Sequence, residues 1–249
     1  MAVPLIIAHR GDSAARPENT LSAFKQGLSV GADLIEMDVQ LTKDGQVVVL
    51  HDVTVNRTTD GSGSVRDMTL AEVKKLDAGF PTKFGAQYKG ERVPTLGEAL
   101  EVLRGKKKAL VEIKRESVTA DEEKGIEAKV VAEVERLRMA KEVAIISFER
   151  KSLLRFQKLA PEMRRGLIFH REEVPAALAA VKEIGSDLLL PEKGMITEAL
   201  CEQADAAGVK LATWVVDDPA ELRALSHFGL YAVGSNAPGK LLDALWSGD

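Results

Sequence analysis

Glu36 and Asp38 stand two residues apart in the run Leu-Ile-Glu-Met-Asp-Val-Gln-Leu-Thr from Leu34 to Thr42, and the chain returns through Gln-Val-Val-Val-Leu to His51. Between the two arms lies Asp44-Gly45, the dipeptide that most strongly signals a two-residue hairpin. With those residues as the loop, Lys43 faces Gln46, and the same register sets Asp38 opposite His51. Directly opposed side chains share a face with Cβ atoms about 5 Å apart, and Glu36 shares that face by strand alternation. Two carboxylates and an imidazole cost free energy to bury side by side unless a bound charge compensates them. A divalent cation is the simplest such charge.

Further residues with chemistry end other apolar runs: His9 and Arg10, Glu112 and Lys114, and Trp214. Glu112 and Lys114 alternate, so both project from one face of a strand. Glu112 then joins Glu36 and Asp38 as a third metal ligand, with Lys114 beside it facing substrate. Oxygen donors alone select a hard ion, Mg²⁺ or Ca²⁺, over Zn²⁺. The competing reading is a set of solvated strand-end acids paired with Lys and Arg. An imidazole titrates near neutral pH and suits proton transfer, which makes His9 and His51 candidate catalysts rather than capped or core histidines. His170 is a weaker candidate of the same kind, and His227 falls in a surface helix. Arg10 and Lys114 supply positive charge for a phosphate. Trp214 is either barrel packing or a platform for a small polyol.

The elements that must position these groups follow a strand-helix rhythm. Strands begin at Leu5, Leu34, Ala109, Val143, Gly166, Leu188, Leu211 and Tyr231, and helices separate them, among them Leu21 to Val30, Leu96 to Leu103, Glu122 to Arg138 and Lys151 to Leu159. Such alternation argues for a parallel sheet with crossover helices, and eight units in roughly 250 residues match a closed (β/α)₈ TIM barrel. A doubly wound open sheet is the alternative, weakened by the lack of Gly-x-Gly-x-x-Gly after a strand. In a barrel the C-terminal strand ends carry the active site, and that is where the residues above fall. Val53 to Val93 breaks the rhythm. It is rich in turn residues, only Leu70 to Leu76 reads as helix, and it is an insertion into the one barrel domain expected over residues 1–249.

A chain of 249 residues with 45% hydrophobic and 29% charged residues has the composition of a soluble globular protein. Aromatics are only 4%, so the core is mainly aliphatic. A net charge of −4 argues against nucleic-acid binding, yet leaves room for an anionic substrate, because a metal and a few cations override net charge locally. The one cysteine, Cys201, makes no internal disulfide and reads as a packing residue. No stretch nears the ~18 apolar residues of a membrane span, and the N-terminal run from Met1 has strand character rather than that of a charged leader. A cytoplasmic protein without stable membrane insertion is expected.

His9-Arg10-Gly11 followed by Pro17-Glu18-Asn19-Thr20, then Glu36-Met37-Asp38-Val39-Gln40-Leu41-Thr42-Lys43-Asp44-Gly45, His51-Asp52, Arg57-Thr58-Thr59, Glu112-Ile113-Lys114 and Thr213-Trp214 form a series spread over nearly the whole chain. Each motif is weak alone. Together, in this order, they resemble the glycerophosphodiester phosphodiesterases of bacterial cytoplasmic type. The resemblance implies a (β/α)₈ barrel with a small insertion after His51, and one divalent cation on Glu36, Asp38 and Glu112. It implies His9 and His51 as the acid–base pair, phosphate contacts from Arg10 and Lys114, and a glycerol contact from Trp214. Two places depart from the family pattern. Asp217 stands where the family usually has Asn, and Ser235-Asn236-Ala237-Pro238 stands where it usually has Thr-Asp before a proline. Both bear on the rim of the site.

The reaction implied is hydrolysis of a small glycerophosphodiester, such as glycerophosphocholine or glycerophosphoethanolamine, to glycerol 3-phosphate and an alcohol. The nucleophile is water or the neighbouring glycerol hydroxyl, with His9 read as base and His51 as acid. A lysophospholipase D would need an open apolar rim, against which the few aromatics count. A non-catalytic binder would have no use for the paired histidines.

Overall fold

Alternation along two neighbouring strands builds the centre of the molecule. The structure, a computed structural model, describes residues 3–170 and 173–247; Met1 and Ala2, at the head of the expected N-terminal strand run, lie outside the described residues. The elements run β1 (Leu5–Ala8), α1 (Leu21–Ser29), β2 (Leu34–Leu41), β3 (Val47–Val49), α2 (Leu70–Val73), α3 (Pro81–Phe84), α4 (Leu96–Leu103), β4 (Lys108–Ile113), α5 (Ile126–Arg136), β5 (Val143–Ser147), α6 (Arg150–Leu159), β6 (Arg164–Phe169), α7 (Val174–Glu183), β7 (Leu188–Pro191), α8 (Glu198–Ala206), β8 (Lys210–Thr213), α9 (Pro219–Leu225), β9 (Ala232–Ser235) and α10 (Pro238–Ser247). Parallel strands β1, β2 and β4 to β9 close into a barrel, because β1 pairs with both β2 and β9. This is the expected (β/α)₈ barrel.

On β2, Leu34 points into the barrel while Ile35, Met37 and Val39 point out to the helices. Glu36 and Asp38 follow Leu34 on the inner face by the two-residue period. On β4, Leu110 packs inside and Val111 outside, so Glu112 also faces in. The β2–β4 register sets Asp38 level with Glu112. The lower barrel is filled by Ile7, Leu110, Ile146, Ile168, Leu188 and Leu190, and the polar layer lies above this aliphatic plug. Helix starts are locally encoded. Thr20 caps α1 by accepting from the Ala23 amide, and Thr95 with Glu98 forms a reciprocal capping box on α4.

The hairpin register differs from the expected one by a residue. Val39 pairs with Val49 and Leu41 with Val47, and the Leu50 amide donates to the Asp38 carbonyl at 3.0 Å. Asp38 therefore sits beside Leu50 and not His51. The cause is Thr42. Its hydroxyl accepts from the Gln46 amide at 2.9 Å and donates to Asp44 at 2.6 Å, which draws Lys43 into the loop. Gly45, at φ +70, then closes a three-residue turn. A slip of one residue exchanges the two faces of a strand. His51 nonetheless reaches the barrel mouth, because β3 ends at Val49 and the chain bends out, with the His51 carbonyl held by Gln40 Nε2 at 3.0 Å.

Helix α5 begins at Ile126, four residues after the expected Glu122. The Asp121 carboxylate accepts from the Glu123 and Lys124 amides, a local turn that competes with helix. Strand β8 stops at Thr213, and Trp214 lies just beyond it. The stretch from 53 to 93 has a small core of its own, where Val55, Val65, Val73, Ala78 and Val93 meet Val48 and Leu50. It contains α3 as well as the expected α2.

Candidate active site

One ligand oxygen from each of Glu36, Asp38 and Glu112 falls within 4.8 Å of the others, and all three side chains are buried. Burial, and then repulsion from Asp38 and Glu112, raise the Glu36 pKa well above the ordinary carboxylate value. Burial and Asp38 likewise push Glu112 up to about 7. Burial works the same way on Asp38, but Arg10 and then Lys114 outweigh it and hold that carboxyl well below its usual range. Glu36 Oε1 and Asp38 Oδ1 are buried and accept no hydrogen bond from any described residue. Carboxylate oxygens without hydrogen bonds in a low-dielectric site are costly; Asp38 Oδ1 has only Lys114 Nζ at 3.4 Å, and a cation seated among the acids would partner both oxygens. The cluster thus fits a divalent metal ion.

Two cations of the protein flank Asp38, Arg10 from the end of β1 and Lys114 from the end of β4. The Arg10 amide donates to Glu36 Oε2 at 2.8 Å, and its guanidinium lies 3.2 Å from Asp38 and 2.8 Å from Glu18. This dual contact requires the backbone at Arg10 to turn through φ +59 and Gly11 through φ +79. A Cβ on Gly11 would stand 2.5 Å from the Ala23 backbone, so glycine is needed for α1 to pack this closely. Lys114 Nζ donates to Glu112 at 2.7 Å and lies 3.4 Å from Asp38.

The two histidines face the same mouth with different partners. His9 Nδ1 meets Asn236 Oδ1 at 2.8 Å, and Nε2 lies 4.0 Å from Glu36. Burial, then Arg10, lower the His9 pKa below the ordinary 6.5, which keeps the ring neutral at physiological pH. His51 Nδ1 instead meets the Asp52 carboxylate at 2.7 Å. Two hydrogen bonds from Arg57 hold Asp52 down at about 2, and Arg57 also grips Glu18. A chain of alternating charge thus runs from Asp38 through Arg10, Glu18, Arg57 and Asp52 to His51.

A pocket of about 260 Å³ joins these groups, lined by His9, Arg10, Glu36, His51, Glu112, Lys114 and Trp214 above Ile146, Ile168 and Leu190. All eight residues expected from sequence therefore converge, Asp38 lying just beneath. Trp214 donates its indole N–H to the Leu190 carbonyl at 3.0 Å and meets Phe148 edge-on at 5.8 Å. What it offers the pocket is apolar ring surface. His170 is exposed, meets Phe148 edge-on at 5.5 Å and does not line this pocket, and His227 stacks on Phe228 away from the pocket.

Several partners had no role in the sequence reading. Asn19 donates to Asp38 at 2.8 Å and accepts from its amide at 3.2 Å. Gln40, itself held by Ser117 at 2.9 Å, anchors the His51 backbone. Glu18, Asp52 and Arg57 were visible only as motif residues, and Asp217 and Asn236 only as departures. A Gln two residues beyond Asp38, on the same inward face of an otherwise aliphatic strand, was the one available signal for Gln40.

Protonated Glu36 and Glu112 compete with a cation. Occupation of the cluster should therefore release protons, and affinity should rise with pH through about 7, where Glu112 loses its proton. Calorimetry in two buffers of unequal ionisation enthalpy reads the released protons directly. An affinity independent of pH between 6 and 8, about one unit either side of that value, would remove the carboxylates from the site.

Comparison with known proteins bears on the chemistry. Residues 9–240 match the model of the glycerophosphoryl diester phosphodiesterase family. A glycerophosphodiester phosphodiesterase of Caldanaerobacter subterraneus subsp. tengcongensis is 42% identical over 245 residues, 98% of each chain. One from Bacillus subtilis is 31% identical, over 94% of this chain and 84% of its own. Among solved structures, an Oleispira antarctica phosphodiesterase in complex with the product sn-glycerol-3-phosphate superposes with a TM-score of 0.88 at 31% identity, covering 98% of this chain and 97% of that one.

Proposed function

The chain belongs to the glycerophosphoryl diester phosphodiesterase family, and from that premise we propose that it hydrolyses small glycerophosphodiesters, such as glycerophosphocholine and glycerophosphoethanolamine, to glycerol 3-phosphate and the free alcohol. The observation that carries this reading is the pair of unequally supported imidazoles flanking a buried three-carboxylate cluster in one pocket. The whole chain acts as one barrel domain, with 53–93 as its insertion.

His9 is the general base. Its ring is desolvated, faces a neutral amide and keeps a lone pair free for a proton. It takes the proton of the attacking hydroxyl. His51 is the general acid. The Asp52 carboxylate behind it holds Nδ1 at 2.7 Å and fixes how the ring faces the pocket, and the ring delivers a proton to the departing alkoxide. One water is consumed overall, its oxygen to phosphorus and its hydrogen to the alcohol. Arg10 and Lys114 lie where the anionic phosphate would be neutralised, and preorganised charge of this kind stabilises the transition state more than the ground state. Glu36, Asp38 and Glu112 would hold Mg²⁺ or Ca²⁺, since every donor is a carboxylate oxygen. Bound there, the ion supplies Lewis-acid neutralisation of the phosphoryl oxygens. The Trp214 ring offers the carbon skeleton of the glycerol an apolar wall.

No described helix is long and apolar enough to cross a membrane. The one free cysteine, Cys201, accords with a reducing, cytoplasmic setting. The test is a coupled assay for glycerol 3-phosphate release from glycerophosphocholine and glycerophosphoethanolamine in the presence of Mg²⁺ or Ca²⁺. Turnover of either diester is expected. Absence of product with every diester and ion would sink the proposal.

A further inference from the structure

Behind His9 lies a second layer of polar groups that the chemistry above does not use. His9 follows β1 and Asn236 follows β9, and these neighbouring strands pair Ala8 with Ser235. The His9 amide donates to the Ser235 carbonyl at 2.8 Å, so the two side chains emerge side by side. Asn236 Oδ1 faces His9 Nδ1 at 2.8 Å and accepts from the Ser13 hydroxyl at 3.0 Å. Its other edge faces Asp217: Asn236 Nδ2 donates to Asp217 Oδ2 at 2.8 Å. Asp217 Oδ1 accepts in turn from the Asn236 amide at 2.7 Å and the Ser235 hydroxyl at 2.9 Å.

An amide side chain has one donating and one accepting edge, and which edge points where depends on its partners. Here the choice is forced. An ionised carboxylate only accepts, so the edge of Asn236 towards Asp217 must be its NH₂. The edge towards His9 must then be oxygen, and His9 Nδ1 must carry the proton. Nε2, the nitrogen on the pocket side, is left with a bare lone pair. Burial alone would raise the Asp217 pKa, but its hydrogen bonds from Asn236 and Ser235 bring it below the ordinary value, so the carboxylate keeps its charge.

We propose that Asp217, acting through Asn236, is a positioning residue that sets the tautomer of His9. It holds the proton on Nδ1 and leaves Nε2 free to act as base. This rests on His9 being the base, and the test separates the two ideas.

Asp217→Asn keeps size and shape but puts an NH₂ opposite the NH₂ of Asn236. The Asn236 amide must then turn over, present NH₂ to His9 Nδ1, and drive the ring proton to Nε2. The double variant Asp217→Asn with Asn236→Asp restores an acceptor towards His9, with the new amide donating to the new carboxylate. Ring-nitrogen NMR of the ¹⁵N-labelled, metal-free protein at about pH 8, above the ordinary imidazole range, reports the tautomer directly, and only four histidines need assignment. The expected result is an Nδ1–H ring in the wild type, Nε2–H in Asp217→Asn, and Nδ1–H again in the double variant. Turnover of glycerophosphocholine should follow the tautomer. kcat should fall about tenfold or more in the single variant with KM little changed, since a wrong tautomer disables a base without touching binding, and should recover in the double.

An unchanged tautomer in Asp217→Asn would overturn the proposal. So would a double variant that stays in the Nε2–H form, because that is the mark of a merely structural carboxylate. A tautomer that moves while kcat does not would uphold the relay and remove His9 from the role of base.

Discussion

His51→Ala is expected to lower kcat for glycerophosphocholine at least a hundredfold while the barrel stays folded. His51 is the more exposed of the two histidines, with 32% of its side chain accessible. Its ring makes one hydrogen bond, to Asp52, and its backbone is held independently by Gln40. Removing the ring therefore costs little stability, and the effect falls on the chemistry. An alkoxide leaving group must otherwise depart unprotonated, and proton transfer from a placed side chain is typically worth 10²–10⁴-fold. A hundredfold loss corresponds to about 2.7 kcal/mol of transition-state stabilisation. His9→Ala should lose at least as much, because the base is removed. The two variants together should lose less than the product of the single effects, as groups serving one reaction do. Steady-state kinetics beside a thermal melt decides the matter. Turnover near wild type in either single variant would take that histidine out of the mechanism.

Chelation should abolish turnover, and Mg²⁺ or Ca²⁺ should restore it. Without a cation, burial and mutual repulsion raise the pKa of Glu36 and push Glu112 up to about 7, and Arg10 and Lys114 are spent on the protein's own acids. An anionic diester then meets a site already paired within itself. Among the three acids, Glu112→Ala is the most informative change, since Glu112 is both a member of the cluster and the hydrogen-bond partner of Lys114. Removing it takes away one ligand and frees Lys114, already 3.4 Å from Asp38, to compete for the remaining carboxylate. Cation affinity should fall roughly tenfold or more, a cost of about 1.4 kcal/mol per decade. Titration calorimetry reads that change without reference to activity. Unchanged affinity would rule out Glu112 as a ligand, and turnover indifferent to exhaustive chelation would overturn the metal-dependent reading.

Much of the site was legible in the chain because it depends on local periodicities. Glu36 and Asp38 follow Leu34, and Glu112 follows Leu110, at the two-residue interval that assigns one face of a strand. Once eight strand-helix units are counted, those faces become the inside of a barrel and their C-terminal ends its active edge. The hairpin was misjudged by one residue because Asp44-Gly45 looks like a two-residue loop, whereas the Thr42 hydroxyl recruits Lys43 into a three-residue one. His51 was placed at the site by a register that does not exist, and it reaches the pocket only because β3 ends early.

The sequence by itself determined the barrel, the inward acids and the positions of the two histidines along the chain. These follow from alternation and from strand-helix count, which neighbouring residues encode. The tertiary structure alone decided what stands behind each of the two histidine rings. Asn236, with Asp217 behind it, reaches His9 only because β9 returns to close on β1, although the two lie 227 positions apart in the chain. Arg57 reaches Glu18 from the insertion, 39 residues away. Such contacts depend on where the ring of strands closes and how a loop folds back, and no local pattern carries that information.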